Sequence, residues 1–136
     1  MQQFFNSLYT FFVGLLYDRK TPFFGQYKAG IFNDTGFYTL LTALGLVLVF
    51  YYLFNHLAPR LTHLGLYRPL HWLLVLLLVA GLGALIAWRV STGQQAGADA
   101  YMRYFIVANT LVAVLWYVLF SLALKWGSHH ARRTPF

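Results

Sequence analysis

The chain has 136 residues, of which 60% are hydrophobic and 10% charged, with a formal net charge of +7 and no cysteine. Soluble domains carry roughly 25% charged residues, and small ones bury the smallest share of their surface, so lipid suits this chain better than water. The missing cysteine excludes disulfides, thiolate metal sites and a cysteine nucleophile, and says nothing of redox compartment. The ten Lys and Arg residues lie between or beside oily runs. That placement argues against nucleic acid, whose binders gather basic residues on a soluble face, and for membrane orientation and anionic headgroups. The length suits a single membrane domain, residues 1–136.

Gln2 to Tyr17 is uncharged and 16 residues long. Gln3, Asn6, Ser7, Thr10 and Gly14 recur in steps of three and four and make one narrow polar stripe, with Phe4, Phe5, Leu8, Phe11, Phe12 and Leu15 around it. The expectation is an amphipathic helix over 2–17, lying in the membrane interface or packed on the bundle; a short fourth span is the rival reading. The stretch has no positive n-region and no A-x-A-like cleavage site, so retention of the N-terminus is expected. Asp18 to Gly36 reads as an irregular connection, with Pro22, Gly25 and Gly30 as breakers and Asn33, Asp34 or Thr35 as a cap for the first long apolar run.

Three uncharged runs qualify as transmembrane helices: 36–54, 72–88 and 104–124, of 19, 17 and 21 residues. At about 1.5 Å per residue they reach roughly 26 to 32 Å, near the hydrocarbon thickness of about 30 Å. Trp72 and Trp88 bracket the second run, and Tyr38, Tyr51, Tyr52, Tyr104 and Trp126 lie near the ends of the others, as an aromatic belt does. The fold expected is all-α and integral to the membrane. Leucines 57, 61 and 64 suggest a short interfacial turn between the first two spans, and Ser91 to Ala100 reads as a polar loop.

Four groups of residues are candidates for function. Ala80, Gly83, Ala84 and Ala87 form a small-residue face on the second span, suited to close helix packing within one copy or between copies. Asn109, Thr110 and Ser121, with Ala113 and Tyr117, make a weakly polar stripe on the third span, and Tyr38, Thr42, Gly45 and Tyr52 make another on the first. Such stripes serve either as interhelical hydrogen bonds or as the lining of an oligomeric pore. Lys125, Trp126, Arg132 and Arg133 are placed to meet lipid headgroups in the basic tail 125–136, whose Pro135-Phe136 tip has no assigned role. The five histidines, 56, 63, 71, 129 and 130, fall on the tail side of a three-span chain, and Asp18, Asp34 and Asp99 on the other. That division favours a cytoplasmic tail, and a bacterial inner membrane is the default location. It also separates the histidines from any acid, so no metal site is expected.

No ionisable residue falls inside a predicted span, which argues against proton relays and ion-coupled transport. No acid–base pair, nucleophile elbow, P-loop or zincin motif is present, so neither catalysis nor a cofactor is expected. Two functions remain: a self-associating structural or anchoring subunit of a membrane complex, or a homo-oligomeric channel or pore-forming effector. Either would have the bilayer, further copies and other membrane proteins as partners.

Overall fold

The computed structural model describes residues 1–17, 21–52, 69–94 and 99–125, with Pro69 and Lys125 described as backbone only. Asp18, His56, His63, the leucines at 57, 61 and 64, Trp126, His129, His130, Arg132, Arg133 and the Pro135-Phe136 tip lie outside the described residues. All regular structure among the described residues is helical. Helix α1 is Gln2–Leu16. Helix α2 runs Phe24–Tyr52 and joins an α-turn, Phe24–Gln26, a π-helical turn, Tyr27–Ile31, and the α-helix Phe32–Tyr52. Helix α3 is Pro69–Gly93 and α4 is Ala100–Lys125. Among the described residues three helices are long and apolar enough to cross a membrane: Phe24–Tyr52, Leu70–Gly93 and Ala100–Leu124, of 29, 24 and 25 residues. At about 1.5 Å per residue they measure roughly 36 to 44 Å, more than the hydrocarbon core of about 30 Å.

Helical structure thus begins at Phe24, ahead of Gly36 where the uncharged run starts. Thr21 opens it: its carbonyl accepts from Phe24 N at 3.1 Å and its hydroxyl from Phe23 N at 3.3 Å. Gly25 and Gly30 stay within the helix because Phe24 and Tyr27 anchor this end on Tyr101, with ring centroids 6.0 and 4.9 Å away. Asn33, Asp34 and Thr35 consequently lie inside α2 and not at its cap. Helix α3 likewise extends through Ser91 to Gly93, which shortens the polar loop. Asp99 caps α4, its Oδ1 accepting from Met102 N at 2.9 Å, a contact worth about 0.5–2 kcal/mol.

Helices α2 and α4 run parallel: Tyr27 meets Tyr101 at one end, and Tyr51 meets Ser121 at the other. Helix α3 runs against both, with Trp72 beside Ser121 and Gly83 beside Asn109. Helix α1 crosses the groove between α2 and α4. Its Phe5 lies on Gly36, Tyr9 sits between Phe32 and Phe105, and Tyr17 stacks on Tyr104 at 4.8 Å. Two glycines permit these approaches. A Cβ on Gly36 would run into the Phe5 ring, and one on Gly83 would stand 2.7 Å from the Ala113 Cβ.

The core has two parts. One gathers Phe5, Tyr9, Val13, Tyr27, Ile31, Phe32, Tyr101 and Phe105, so α1 completes it; the other packs Ala43, Val47, Tyr51, Trp72, Val79, Ala113 and Tyr117 between the three long helices. The first part is rich in rings, with Phe105 at 5.3 Å from each of Tyr9, Tyr27 and Phe32. Aromatic pairs of this kind each contribute about 0.5–1.5 kcal/mol beyond area burial.

Candidate functional site

Asn109 is fully buried, in the third turn of α4, and it bonds to each of the other three helices. Its Oδ1 accepts from the Tyr9 hydroxyl of α1 at 2.5 Å and lies 3.2 Å from the Thr39 hydroxyl of α2. Its Nδ2 donates to Thr39 Oγ1 at 3.0 Å and to the Gly83 carbonyl of α3 at 2.7 Å. A primary amide has two donors and a carbonyl oxygen with two lone pairs, so Asn109 is saturated by this set. The Gly83 carbonyl already serves its own helix; it can accept a second hydrogen because a carbonyl has two lone pairs. The glycine itself brings the α3 backbone within reach.

A second polar layer ties the long helices together nearer the other end. The Ser121 hydroxyl of α4 lies 2.9 Å from the Tyr51 hydroxyl of α2 and accepts from Trp72 Nε1 of α3 at 2.9 Å. Tyr51 also reaches the Ser121 carbonyl at 3.2 Å. Asn109, Ala113, Tyr117 and Ser121 recur every four residues, so one face of α4 carries both layers and is buried along its length. A third polar layer closes the acidic end. Gln94 Nε2 donates to Asp34 Oδ2 at 2.9 Å, joining α3 to α2, and the Thr21 hydroxyl donates to Asp99 Oδ2.

The structure divides the sequence candidates between inward and outward positions. Asn109 and Ser121 are the centres of the first two layers, inside a single copy. Thr110 is half-buried and turns back on its own helix, donating to the Ile106 carbonyl at 2.9 Å. Thr42 is half-buried, while Tyr38, Gly45 and Tyr52 of its stripe are exposed. The inward polar residues of α2 are Thr35 and Thr39. On α3, Gly83 and Ala87 are buried, and Ala80 and Ala84 are half-buried beside them. The side chains of Lys125, Trp126, Arg132 and Arg133 lie outside the described residues.

Sequence reasoning misses three contributors: Tyr9, Thr39 and Trp72 as a donor. Tyr9 carries a signal, since with Phe5 and Val13 it recurs every four residues along one side of α1, next to the polar stripe. A tyrosine there is either lipid-facing or bonded across helices. Among the described residues no group of three His, Cys, Asp or Glu side chains lies together to hold a metal ion. The layers around Asn109 and Ser121 consist of neutral groups that fix helices to one another.

Comparisons with protein-family models, curated proteins and solved structures give no match.

Proposed function

We propose that this chain is a small polytopic membrane protein that acts as a self-associating structural or anchoring subunit of a membrane complex. Three long apolar helices hold it in the bilayer, and α1 packs on the bundle through Phe5, Tyr9 and Val13. The observation that supports the reading is the direction of the polar groups. Asn109, Thr39, Ser121 and Tyr51 are all turned into one copy, whereas Leu41, Leu48, Leu73, Leu74, Leu77, Leu85 and Leu119 are exposed. Such an exterior suits lipid or the apolar face of another membrane helix. In a pore built from further copies, the polar groups would have to face outward. The outward stripe Tyr38, Gly45 and Tyr52 on α2 is what favours that second reading, with α2 rather than α4 as the lining helix. In either case the role proposed is non-catalytic, in a bacterial cytoplasmic membrane, with the tail on the cytoplasmic face.

Purification in mild detergent with mass measurement separates the two. A defined oligomer, or copurifying membrane proteins, supports the subunit; a closed ring that conducts ions in liposomes supports the pore instead. A strictly monomeric chain with no companion overturns self-association. Ala84→Leu tests the half-buried edge of the small face: reduced oligomer mass is expected, and unchanged mass assigns that edge to packing within one copy. Protease cleavage of the tail in inverted vesicles is expected for a cytoplasmic C-terminus, and protection there overturns the orientation.

A further inference from the structure

The polar stripe of α1 does not face open solvent alone. Asn6, Ser7, Thr10 and Phe11 form one wall of a groove of about 400 Å³ whose other wall carries Lys28 of the π-helical turn. Two amides of α1 hold the walls together: Gln2 Nε2 donates to the Ala29 carbonyl at 3.0 Å and Asn6 Nδ2 to the Lys28 carbonyl at 3.1 Å. The Lys28 ammonium stands 4.8 Å from the centroid of the Phe24 ring, which restrains it at the groove. Both described acids at this end of the bundle are engaged elsewhere, Asp34 with Gln94 and Asp99 with Thr21 and Met102 N. Lys28 therefore has no carboxylate partner among the described residues. Ser7 and Thr10 are exposed hydroxyls on the same wall. Asn6 Oδ1 is buried with no hydrogen-bond partner.

We propose that this groove binds the phosphate ester of an anionic phospholipid headgroup. Lys28 takes the phosphate charge, and Ser7 and Thr10 donate to its oxygens. A lipid is favoured over a free phosphate because the polar wall continues into exposed Phe4, Phe11 and Leu15 on the same helix, a surface for the glycerol and acyl chains. The position is right as well. Lys28 lies at the end of α2 where Asp34, Gln94 and Asp99 also gather, at headgroup depth if the long helices cross the bilayer. The site rests on the membrane reading proposed above.

Native mass spectrometry of the full chain, released from detergent with short-chain phosphatidylglycerol or phosphatidylcholine, tests it. One phosphatidylglycerol is expected to be retained in preference to phosphatidylcholine. Lys28→Gln is expected to weaken that retention about tenfold, the scale of one charge-assisted hydrogen bond, and Ser7→Ala/Thr10→Ala by a smaller factor. Arg89→Gln is the control, since Arg89 is exposed over Trp88 at 5.3 Å and outside the groove. Equal loss from Lys28→Gln and Arg89→Gln, or equal retention of the two lipids, overturns the site. Displacement of the lipid by millimolar inorganic phosphate overturns the lipid assignment in favour of a free phosphate. Alkaline carbonate extraction, run first, separates the two proposals: a chain released by carbonate refutes the membrane reading, and a chain that stays with membranes but shows no lipid preference refutes the groove alone. Lys28 is exposed, so its substitution leaves folding intact, which circular dichroism checks.

Discussion

Removing the Asn109 side chain should loosen the whole bundle. Asn109→Ala deprives Tyr9, Thr39 and the Gly83 carbonyl of a partner at once. Interhelical hydrogen bonds inside membranes average about 0.6 kcal/mol and reach about 1.7. Three lost partners therefore amount to roughly 2 kcal/mol, and the space left by the amide adds to this. Tyr9→Phe keeps the ring that packs on Phe32 and Phe105 and removes only the hydroxyl, so it should cost about 0.6–1.7 kcal/mol. The 2.5 Å contact between the two side chains makes them a suitable pair for a double-mutant cycle. Each variant and the double variant would be unfolded in mixed micelles by titrating a denaturing detergent, with helicity as the readout. The expected coupling is about 0.6 kcal/mol or more, because the second substitution removes a bond the first has already broken. Additivity within about 0.3 kcal/mol would refute the bond between Tyr9 and Asn109. An Asn109→Ala chain with unaltered stability but altered ion conductance would refute more, since Asn109 would then line a passage.

Other substitutions test the remaining contacts. Gly83→Ala places a methyl group 2.7 Å from the Ala113 Cβ and should destabilise by about 1–3 kcal/mol, whereas Gly81→Ala meets open space and should stabilise α3 by up to about 1 kcal/mol. Thermal midpoints moving in the same direction would refute the close approach of α3 and α4. Gly36→Ala should displace the Phe5 ring and lift α1, seen as faster amide exchange across α1 with α3 unchanged; equal exchange in both would refute the seat of Phe5 on Gly36. Ser121→Ala should lower stability by about 1–2 kcal/mol by removing the hydroxyl that Tyr51 and Trp72 share, and an unmoved unfolding midpoint would count against that layer. Asp99→Ala should fray the start of α4, measured as accelerated exchange of the Met102 amide with the middle of the helix unaffected.

The three long helices are readable because lipid imposes a simple demand: a run of about 20 apolar residues with its own backbone satisfied. Which way each helix turns is less readable. On α2 small and weakly polar residues lie on more than one side of an otherwise apolar helix, so periodicity offers little contrast. The stripe Tyr38, Thr42, Gly45 and Tyr52 is as regular in sequence as the inward row Thr35, Thr39, Ala43 and Val47, yet it lies toward the outside. On α4 the stripe of Asn109, Thr110 and Ser121 leaves both readings open in sequence, since an amide can meet a neighbouring helix or a wet lumen; the structure turns Asn109 and Ser121 into the bundle and Thr110 back on its own helix. The start of α2 is hidden for a different reason. Pro22, Gly25 and Gly30 are breakers by local propensity, and the packing of Phe24 and Tyr27 on Tyr101 overrides two of them. Tyr9 and Thr39 cannot be paired with Asn109 from spacing, since their meeting depends on α1 crossing the groove.

The π-helical turn Tyr27–Ile31 has a consequence for how α2 tolerates change in length. Such a turn holds one residue more than an α-turn, and in an α-helix one residue corresponds to about 100° of rotation. The surplus residue swings Tyr27 back over the same side as Phe32, Thr35 and Thr39, where it meets Tyr101 and Phe105. Deleting Ala29 would let the turn relax to ordinary α geometry and leave Tyr27 four residues before Phe32, so Phe24 and Tyr27 would keep the side of the helix they now occupy. A one-residue deletion in the regular stretch Phe32–Tyr52 has no such reserve and would rotate everything before it by about 100° against its neighbours. The start of α2 is therefore the place where the helix can lose a residue and keep its facing.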